Sequence, residues 1–144
     1  MFSRPIFIVC LYALFGLSIT PDATGQSSAG PIIEVGMDKA VKSIAEAARI
    51  AQDNSVIFID AGVYKECAIW KQNNLVIHGL SERGRQVIIE DTTCGGKAIF
   101  VTQGRNISIS NITFRNARVP HRNGAGIRAE GPNLTVANSA FINN

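Results

Sequence analysis

The stretch "RNISISNITFRN", from Arg105 to Asn116, decides the fold of this chain. It repeats asparagine at a strict interval of five, at Asn106, Asn111 and Asn116, and the residues between are mostly β-branched or aromatic. Asparagine is depleted from strands, yet the intervening residues are too apolar for one long turn. The stretch therefore predicts short strands separated by sharp asparagine corners, a pattern that should recur if the chain is a repeat protein.

The pattern does recur, in "NNLVIHG" from Asn73 and in "PNLTVAN" from Pro132. Each copy is followed by a second apolar run and preceded by a run that ends in glycine. The following runs are "VII" (87–89), "ITF" (112–114) and "SAF" (139–141), and the preceding runs are "VIFIDAG", "AIFVTQG" and "GIRAEG". The copies lie 32 residues apart from Asn74 to Asn106 and 27 apart from Asn106 to Asn133. Repeats of roughly 20–50 residues indicate a solenoid.

Such short strands can pair in parallel with their counterparts in the next turn, so that alternate side chains point into a narrow interior. The prediction is an all-β fold, a right-handed parallel β-helix of about three coils over residues 55–144. The alternative is a β-sandwich with ordinary polar turns. The expected stacks are Ile57/Ile99/Ile127, Ile77/Ile109/Val136 and Ile89/Phe114/Phe141.

Asparagine suits the corners because it tolerates the left-handed conformation and because stacked side-chain amides can hydrogen-bond along a ladder. The predicted ladder residues are Asn74, Asn106, Asn133, Asn111 and Asn138.

An amphipathic segment, "DKAVKSIAEAARIAQ", precedes the first coil and predicts a capping α-helix over residues 38–52, with Asp38 as its N-cap. The first coil of a solenoid needs such a cover. The other end, "SAFINN", shows no comparable cover, so the β-helix is expected to be incomplete at residue 144.

The N-terminus reads as a secretory signal peptide over residues 1–25. Arg4 precedes the apolar run from Ile6 to Ile19, and the small residues Ala23 and Gly25 follow. An uncleaved anchor is the alternative, although the run is short for a membrane span of roughly 20 residues. Residues 26–37 are then a leader, no membrane span is expected in the mature chain, and the protein is expected to be secreted or periplasmic.

The formal net charge of +3 is too small to predict a nucleic-acid partner. Cys67 and Cys94 remain in the mature chain, and their spacing leaves open whether they pair. Two thiols without clustered histidines make a poor zinc site, so neither a metal nor a cofactor is predicted. Nothing in the sequence indicates the oligomeric state.

Residues 33–144 resemble the secreted right-handed parallel β-helix proteins of the pectin-lyase-like superfamily. The segment "NARVPHRNGAGIRAEGPNLTVANSAFINN" is most similar to bacterial β-helix repeat proteins. A weaker similarity is to pectin methylesterases, whose G-x-Y-x-E is found as Gly62–Glu66 and whose NITF-N is found as Asn111–Asn116. Because the superfamily includes lyases, hydrolases, esterases and non-enzymatic binders, the resemblance implies a fold rather than one reaction.

The enzymatic patterns of that superfamily are incomplete here. The esterases have glutamine where this chain has Asn123, and their later catalytic residues lie beyond the matched region. Pectate lyases need clustered acids to hold calcium, and acids are sparse in the third coil. No catalytic residue is therefore predicted. The alternative is that the chain is the N-terminal part of a lyase or esterase whose catalytic residues lie on coils beyond residue 144.

The segment "RNARVPHRNGAG", residues 115–126, is basic and has no acid. Guanidinium groups match the carboxylates of uronate sugars, so Arg118, His121, Arg122 and the outward-facing Arg128 are predicted to bind an anionic extracellular polysaccharide. Phe58 and Phe100, taken as the equivalents of Arg128 in earlier coils, are expected to offer outward aromatic faces. A solvated basic loop is the competing interpretation.

Overall fold

The structure, a computed structural model, describes residues 30–144. The signal peptide and the first four residues of the leader that the sequence predicts, residues 26–29, lie outside the described residues. The elements are β1 (Ile32–Val35), α1 (Ile44–Ile50), β2 (Val56–Ile59), β3 (Gly62–Tyr64), β4 (Ala68–Trp70), β5 (Val76–Gly79), β6 (Val87–Glu90), β7 (Ala98–Thr102), β8 (Ile107–Ser110), β9 (Ile112–Arg115), β10 (Ala125–Ala129), β11 (Leu134–Ala137) and β12 (Ala140–Ile142).

The strands form three sheets in which every neighbouring pair is parallel. Sheet A has the order β1-β2-β5-β8-β11, sheet B is β3-β6-β9-β12, and sheet C is β4-β7-β10. From β2 onward the chain visits sheets A, B and C in turn. This gives coil 1 (β2–β4), coil 2 (β5–β7), coil 3 (β8–β10) and the first two strands of a further turn. The predicted parallel β-helix is confirmed.

Two of the three predicted side-chain stacks are confirmed by the register. Ile77 pairs with Ile109, which pairs with Val136, and the column continues back to Ile57 and Ile33. In sheet B, Ile89 pairs with Phe114 and Phe114 with Phe141, whose rings stack with centroids 5.4 Å apart. Full burial of one such side chain contributes roughly 1.5–3 kcal/mol, and the inner members of both columns are fully buried, whereas Val136 and Phe141 at the last turn are exposed.

The third predicted stack, Ile57 on Ile99 and Ile127, is wrong. Ile57 lies in sheet A, whereas Ile127 lies in sheet C, where it pairs with Phe100. The expected equivalence of Phe58, Phe100 and Arg128 fails for the same reason. Phe100 is fully buried, Phe58 belongs to sheet A, and the register partner of Arg128 is Val101. The sheet C strand of coil 1 is instead the short β4.

Asparagines occupy the left-handed corners of the coils. Asn74, Asn106 and Asn133 have φ of 57°, 56° and 62°. The amide nitrogen of Asn133 donates to Oδ1 of Asn106 at 3.0 Å, and that of Asn106 donates to Oδ1 of Asn74 at 2.9 Å. Asn54 extends this ladder, since it accepts from Asn74 at 2.9 Å.

The second asparagine corner has the same backbone but different side-chain contacts. Asn111 and Asn138 have φ of 58° and 48°. The amide of Asn111 faces Nε2 of His78 at 3.3 Å rather than the amide of Asn138. The corner therefore depends on backbone conformation more than on a continuous amide ladder.

The helix is shorter than the sequence predicts, and Asp38 is not its N-cap. Ser43 caps it by accepting from the backbone N–H of Glu46 at 3.3 Å, and residues 38–42 lie outside it. Glu66 holds the same end, because one of its oxygens accepts from Ser43 Oγ at 2.5 Å and from the N–H of Ala45 at 3.2 Å. Ile44, Ala47 and Ala48 are buried, and α1 packs against β4 and β1.

Cys67 and Cys94 form a disulfide, which resolves the question that their spacing leaves open. The bond joins the segments that precede β4 and β7, so it links coil 1 to coil 2.

No helix within residues 30–144 is both long enough and apolar enough to cross a membrane.

Candidate functional site

The basic loop of residues 116–124 connects β9 in sheet B to β10 in sheet C. Ala117 and Val119 are buried, whereas Arg118 between them is exposed. The backbone N–H of Arg118 donates to the carbonyl of Asn116 at 2.9 Å, and that of Arg122 donates to the carbonyl of Val119 at 3.0 Å. Alternating small apolar and charged residues thus anchor the loop while its arginines face outward.

Gly124 brings the two ends of the basic loop together. A Cβ atom at this position would lie 1.9 Å from the carbonyl oxygen of Ala117, so a larger residue could fit only if the backbone moved. The N–H of Ala117 donates to Oδ1 of Asn144 at 3.0 Å, and the amide of Asn144 donates to the carbonyl of Phe114 at 3.1 Å. The base of the loop is therefore fixed on both sides.

A cleft of about 490 Å³ lies against this loop. Its volume is within the range of roughly 300–1,000 Å³ that is usual for small-ligand sites. It is lined by Ala117, Arg118, Val119, Pro120, Arg122, Gly124, Asn143 and Asn144. None of these residues has an acidic side chain, so the cleft presents two guanidinium groups with no side-chain carboxylate in its lining.

Arg118 and Arg122 differ from the other arginines of this region in having no ion-pair partner among residues 30–144. Arg115, which begins the basic segment, is paired with the buried carboxylate of Glu90. Of the four residues predicted to bind a polysaccharide, only Arg118 and Arg122 line the cleft, whereas His121 and Arg128 do not.

Arg128 lies apart from them, on the outward face of sheet C. Its Nε is 3.2 Å from Glu130 Oε1, and Lys97 Nζ is 2.6 Å from the same oxygen. Gln103 donates to the other carboxylate oxygen at 3.0 Å. These donors, Lys97 first and Gln103 next, lower the pKa of Glu130 to about 2. Arg128 is therefore a member of a charge cluster that ties coil 2 to coil 3.

His121 lies at the exposed tip of the basic loop and does not line the cleft. In the part of the chain that the structure describes, no side chain is within hydrogen-bonding distance of its ring. Its position gives no support to a role as a general base, since such a base needs an orienting partner.

Sequence reasoning missed Asn143 and Asn144, which form one wall of the cleft. The sequence does contain a signal for Asn143, because this asparagine follows β12 as Asn116 follows β9. The structure confirms that the two corners are equivalent, with φ of 52° at Asn143 and 59° at Asn116. Asp91 occupies the same corner one coil earlier with φ of 58°, and it accepts from the amide of Asn116 at 3.0 Å.

The described residues contain no cluster of three or more His, Cys, Asp or Glu side chains that could hold a metal ion. What the basic loop offers is electrostatic recognition: two fork-shaped donors beside one cleft, a geometry that suits planar carboxylates.

No protein-family model and no curated protein matches the chain. A solved structure that is similar to it is the crystal structure of a pectin methylesterase point mutant in complex with a hexasaccharide. The two share 19% sequence identity with a TM-score of 0.54, over 76% of this chain and 47% of that chain. This chain thus spans about half the length of the esterase, and the similarity shows that both have the parallel β-helix fold.

Proposed function

We propose that this protein, a parallel β-helix of the kind found in that esterase, binds an anionic extracellular polysaccharide through Arg118 and Arg122. The observation that carries the proposal is that these two guanidinium groups line one cleft and have no carboxylate partner among residues 30–144. By contrast, Arg115 of the same segment is paired with Glu90, and the nearby Arg128 is paired with Glu130.

The chemistry of the cleft favours a uronate over a neutral sugar. A guanidinium donates two parallel hydrogen bonds to a carboxylate, and such charge-assisted bonds are roughly twice as strong as neutral ones. A polymer with a carboxylate on each sugar could engage both arginines at once. A periplasmic or extracellular location would give the protein access to such polymers, and the signal peptide predicted over residues 1–25 supports that location.

The test is retention on immobilised polygalacturonate and on a neutral glucan at increasing salt. We expect preferential binding to the acidic polymer, weakened by salt because exposed charges are screened. The variant Arg118→Gln/Arg122→Gln should lose that binding.

The matched control is Arg49→Gln/Arg83→Gln, which removes the same charge from sites where the side chains are 73% and 87% exposed. It also contains one residue at positive φ, Arg83 at 50°, as the test pair does with Arg122 at 57°. Equal loss of binding in both variants would show that net charge, not the cleft, is responsible. Equal retention on both polymers would overturn the proposal.

A second candidate function is that of the N-terminal part of a polysaccharide-active enzyme. The observation that favours it is the overlap of 76% of this chain with a methylesterase crystallised with a hexasaccharide. Because the catalytic residues of this candidate would lie on coils beyond residue 144, the assay uses a longer protein that contains this chain. Release of methanol from methyl-esterified polygalacturonate by that protein would support this candidate, whereas binding without turnover would support the first.

A further inference from the structure

The basic loop contains Asn123 followed by Gly124, and this is the one place in the sequence where asparagine precedes glycine. An asparagine can lose ammonia when the backbone nitrogen of the next residue attacks its side-chain carbon. A side chain on that next residue hinders the attack, and glycine has none. The pair is therefore the most reactive asparagine sequence in the chain on chemical grounds.

The surroundings of Asn123 leave both reacting groups free. Asn123 is exposed and lies outside the strands, between Arg122 and the start of β10. Among the described residues, neither its side-chain amide nor the N–H of Gly124 has a hydrogen-bond partner. No hydrogen bond of either group within residues 30–144 therefore has to break before the nitrogen can attack.

The corner asparagines show the opposite arrangement. The amides of Asn74, Asn106 and Asn133 each donate to the previous member of the ladder, and the next residues are Leu75, Ile107 and Leu134. Bonded amides and bulky neighbours both protect these positions.

Packing requires the glycine that makes Asn123 reactive. A Cβ at position 124 would lie 1.9 Å from the carbonyl oxygen of Ala117, so the close approach that shapes the cleft excludes other residues there. The adjacent Arg122 adds to the reactivity, because a nearby positive charge favours the deprotonated backbone nitrogen that attacks.

We propose that Asn123 is a site of spontaneous deamidation that adds a negative charge to the edge of the cleft. The nitrogen of Gly124 bonds to Cγ of Asn123, the bond from Cγ to Nδ2 breaks, and ammonia leaves with a proton from the Gly124 nitrogen. Water then opens the resulting five-membered imide at either carbonyl, which gives aspartate or isoaspartate. One neutral amide becomes one carboxylate beside Arg122.

The effect on binding rests on the proposed function of the cleft. A carboxylate beside Arg122 competes with the carboxylates of a polyanion, so we expect deamidation to weaken polygalacturonate binding by about twofold to fivefold, the range of an exposed charge pair.

The chemical test is incubation of the folded protein at mildly alkaline pH, followed by peptide mapping with mass spectrometry. We expect both aspartate and isoaspartate at position 123 and unmodified asparagine at positions 74, 106 and 133. The Asn123→Gln variant should show no conversion in this peptide. An unmodified Asn123, or equal conversion at the ladder positions, would overturn the inference.

The binding test compares Asn123→Asp with Asn123→Gln and the wild type on polygalacturonate. Weaker binding by the aspartate variant alone would support the prediction that deamidation weakens polygalacturonate binding, and equal binding by all three proteins would overturn it. Failure of the wild type itself to bind would refute the proposed function, while the mass spectra would still decide whether Asn123 is modified.

Discussion

The side-chain amide of Asn106 donates to Oδ1 of Asn74 at 2.9 Å, although the two residues are 32 positions apart in sequence. Each residue turns its chain through a left-handed corner, with φ of 56° and 57°. One residue type thus meets two requirements at the same position, the backbone conformation and the contact between coils.

We expect Asn106→Ala to lower the free energy of unfolding by about 2–5 kcal/mol. The left-handed conformation costs alanine roughly 1–2 kcal/mol, and each of the two lost amide bonds contributes about 0.5–1.5 kcal/mol. Asn106→Gly loses the bonds without the strain, so its effect should be about half as large. Urea denaturation measures both. Asn123→Ala, at an exposed and unbonded position, should change stability by less than about 0.5 kcal/mol, and a similar loss there would contradict the ladder argument.

Removal of the disulfide in Cys67→Ala/Cys94→Ala should lower the free energy of unfolding by about 3–4 kcal/mol. The bond closes a loop between residues 27 apart in sequence, and it limits the freedom of the unfolded chain accordingly. Thermal unfolding with and without a reducing agent provides the measurement. The reductant should shift the wild type and leave the double variant unchanged. An unchanged wild type would mean that the bond is absent or inaccessible in solution.

Glu66→Ala should lower stability by about 0.5–2 kcal/mol, the usual range for loss of a helix N-terminal cap. Glu66 holds the start of α1 by accepting hydrogen bonds from Ser43 and Ala45. It is also the last residue of the Gly62–Glu66 motif, in which the Tyr64 hydroxyl donates to the carbonyl of Asp60 at 2.8 Å. Because this motif is remote from the basic loop in sequence and shares no lining residue with its cleft, polygalacturonate binding should not change. Loss of binding at full stability would give Glu66 a functional role instead.

The pH dependence of stability should include a contribution from Glu130. Its pKa falls from 4.5 to about 2 on folding because Lys97 and Gln103 donate to it. A lowered pKa stabilises the folded protein above the unfolded value, and that stabilisation is lost as the pH falls through the folded value. The melting temperature of the wild type should therefore fall between about pH 4.5 and pH 2 more steeply than that of Glu130→Gln. Parallel curves for the two proteins would rule out this linkage.

The repeat was predictable because its signals are local. Asparagine before an alternating apolar triplet locates β5, β8 and β11 of sheet A, and this signal correctly aligns Ile77, Ile109 and Val136. The same signal was available for the first coil, where Asn54 precedes Val56 as Asn74 precedes Val76. However, "VIFIDAG" ends in glycine as "AIFVTQG" and "GIRAEG" do. The sequence prediction follows that similarity and therefore aligns β2 with β7 and β10 of sheet C, which is wrong.

The sequence alone does not show which basic residues are paired with carboxylates and which have no ion-pair partner among residues 30–144. Arg115 and Glu90 are partners because β9 lies beside β6, and Lys97 reaches Glu130 because β7 lies beside β10. Such pairs depend on the register between coils, and one misassigned strand changes which charges meet. The cleft lining was hidden for the same reason. Asn143 and Asn144 line the same cleft as Arg118 and Arg122 because β12 pairs in parallel with β9.

One corner of the coil shows how this architecture accommodates change. In coil 3 a single residue, Asn111, joins β8 to β9, whereas in coil 2 the segment 80–86 joins β5 to β6. Ile77 and Ile89, on either side of that segment, still pair with Ile109 and Phe114. The number of residues at this corner can therefore change without changing the register of the stacked core. The hairpin tip, where Glu82 and Arg85 form an antiparallel bridge, is therefore a natural place to graft a foreign peptide onto the scaffold, since lengthening a surface loop costs little entropy.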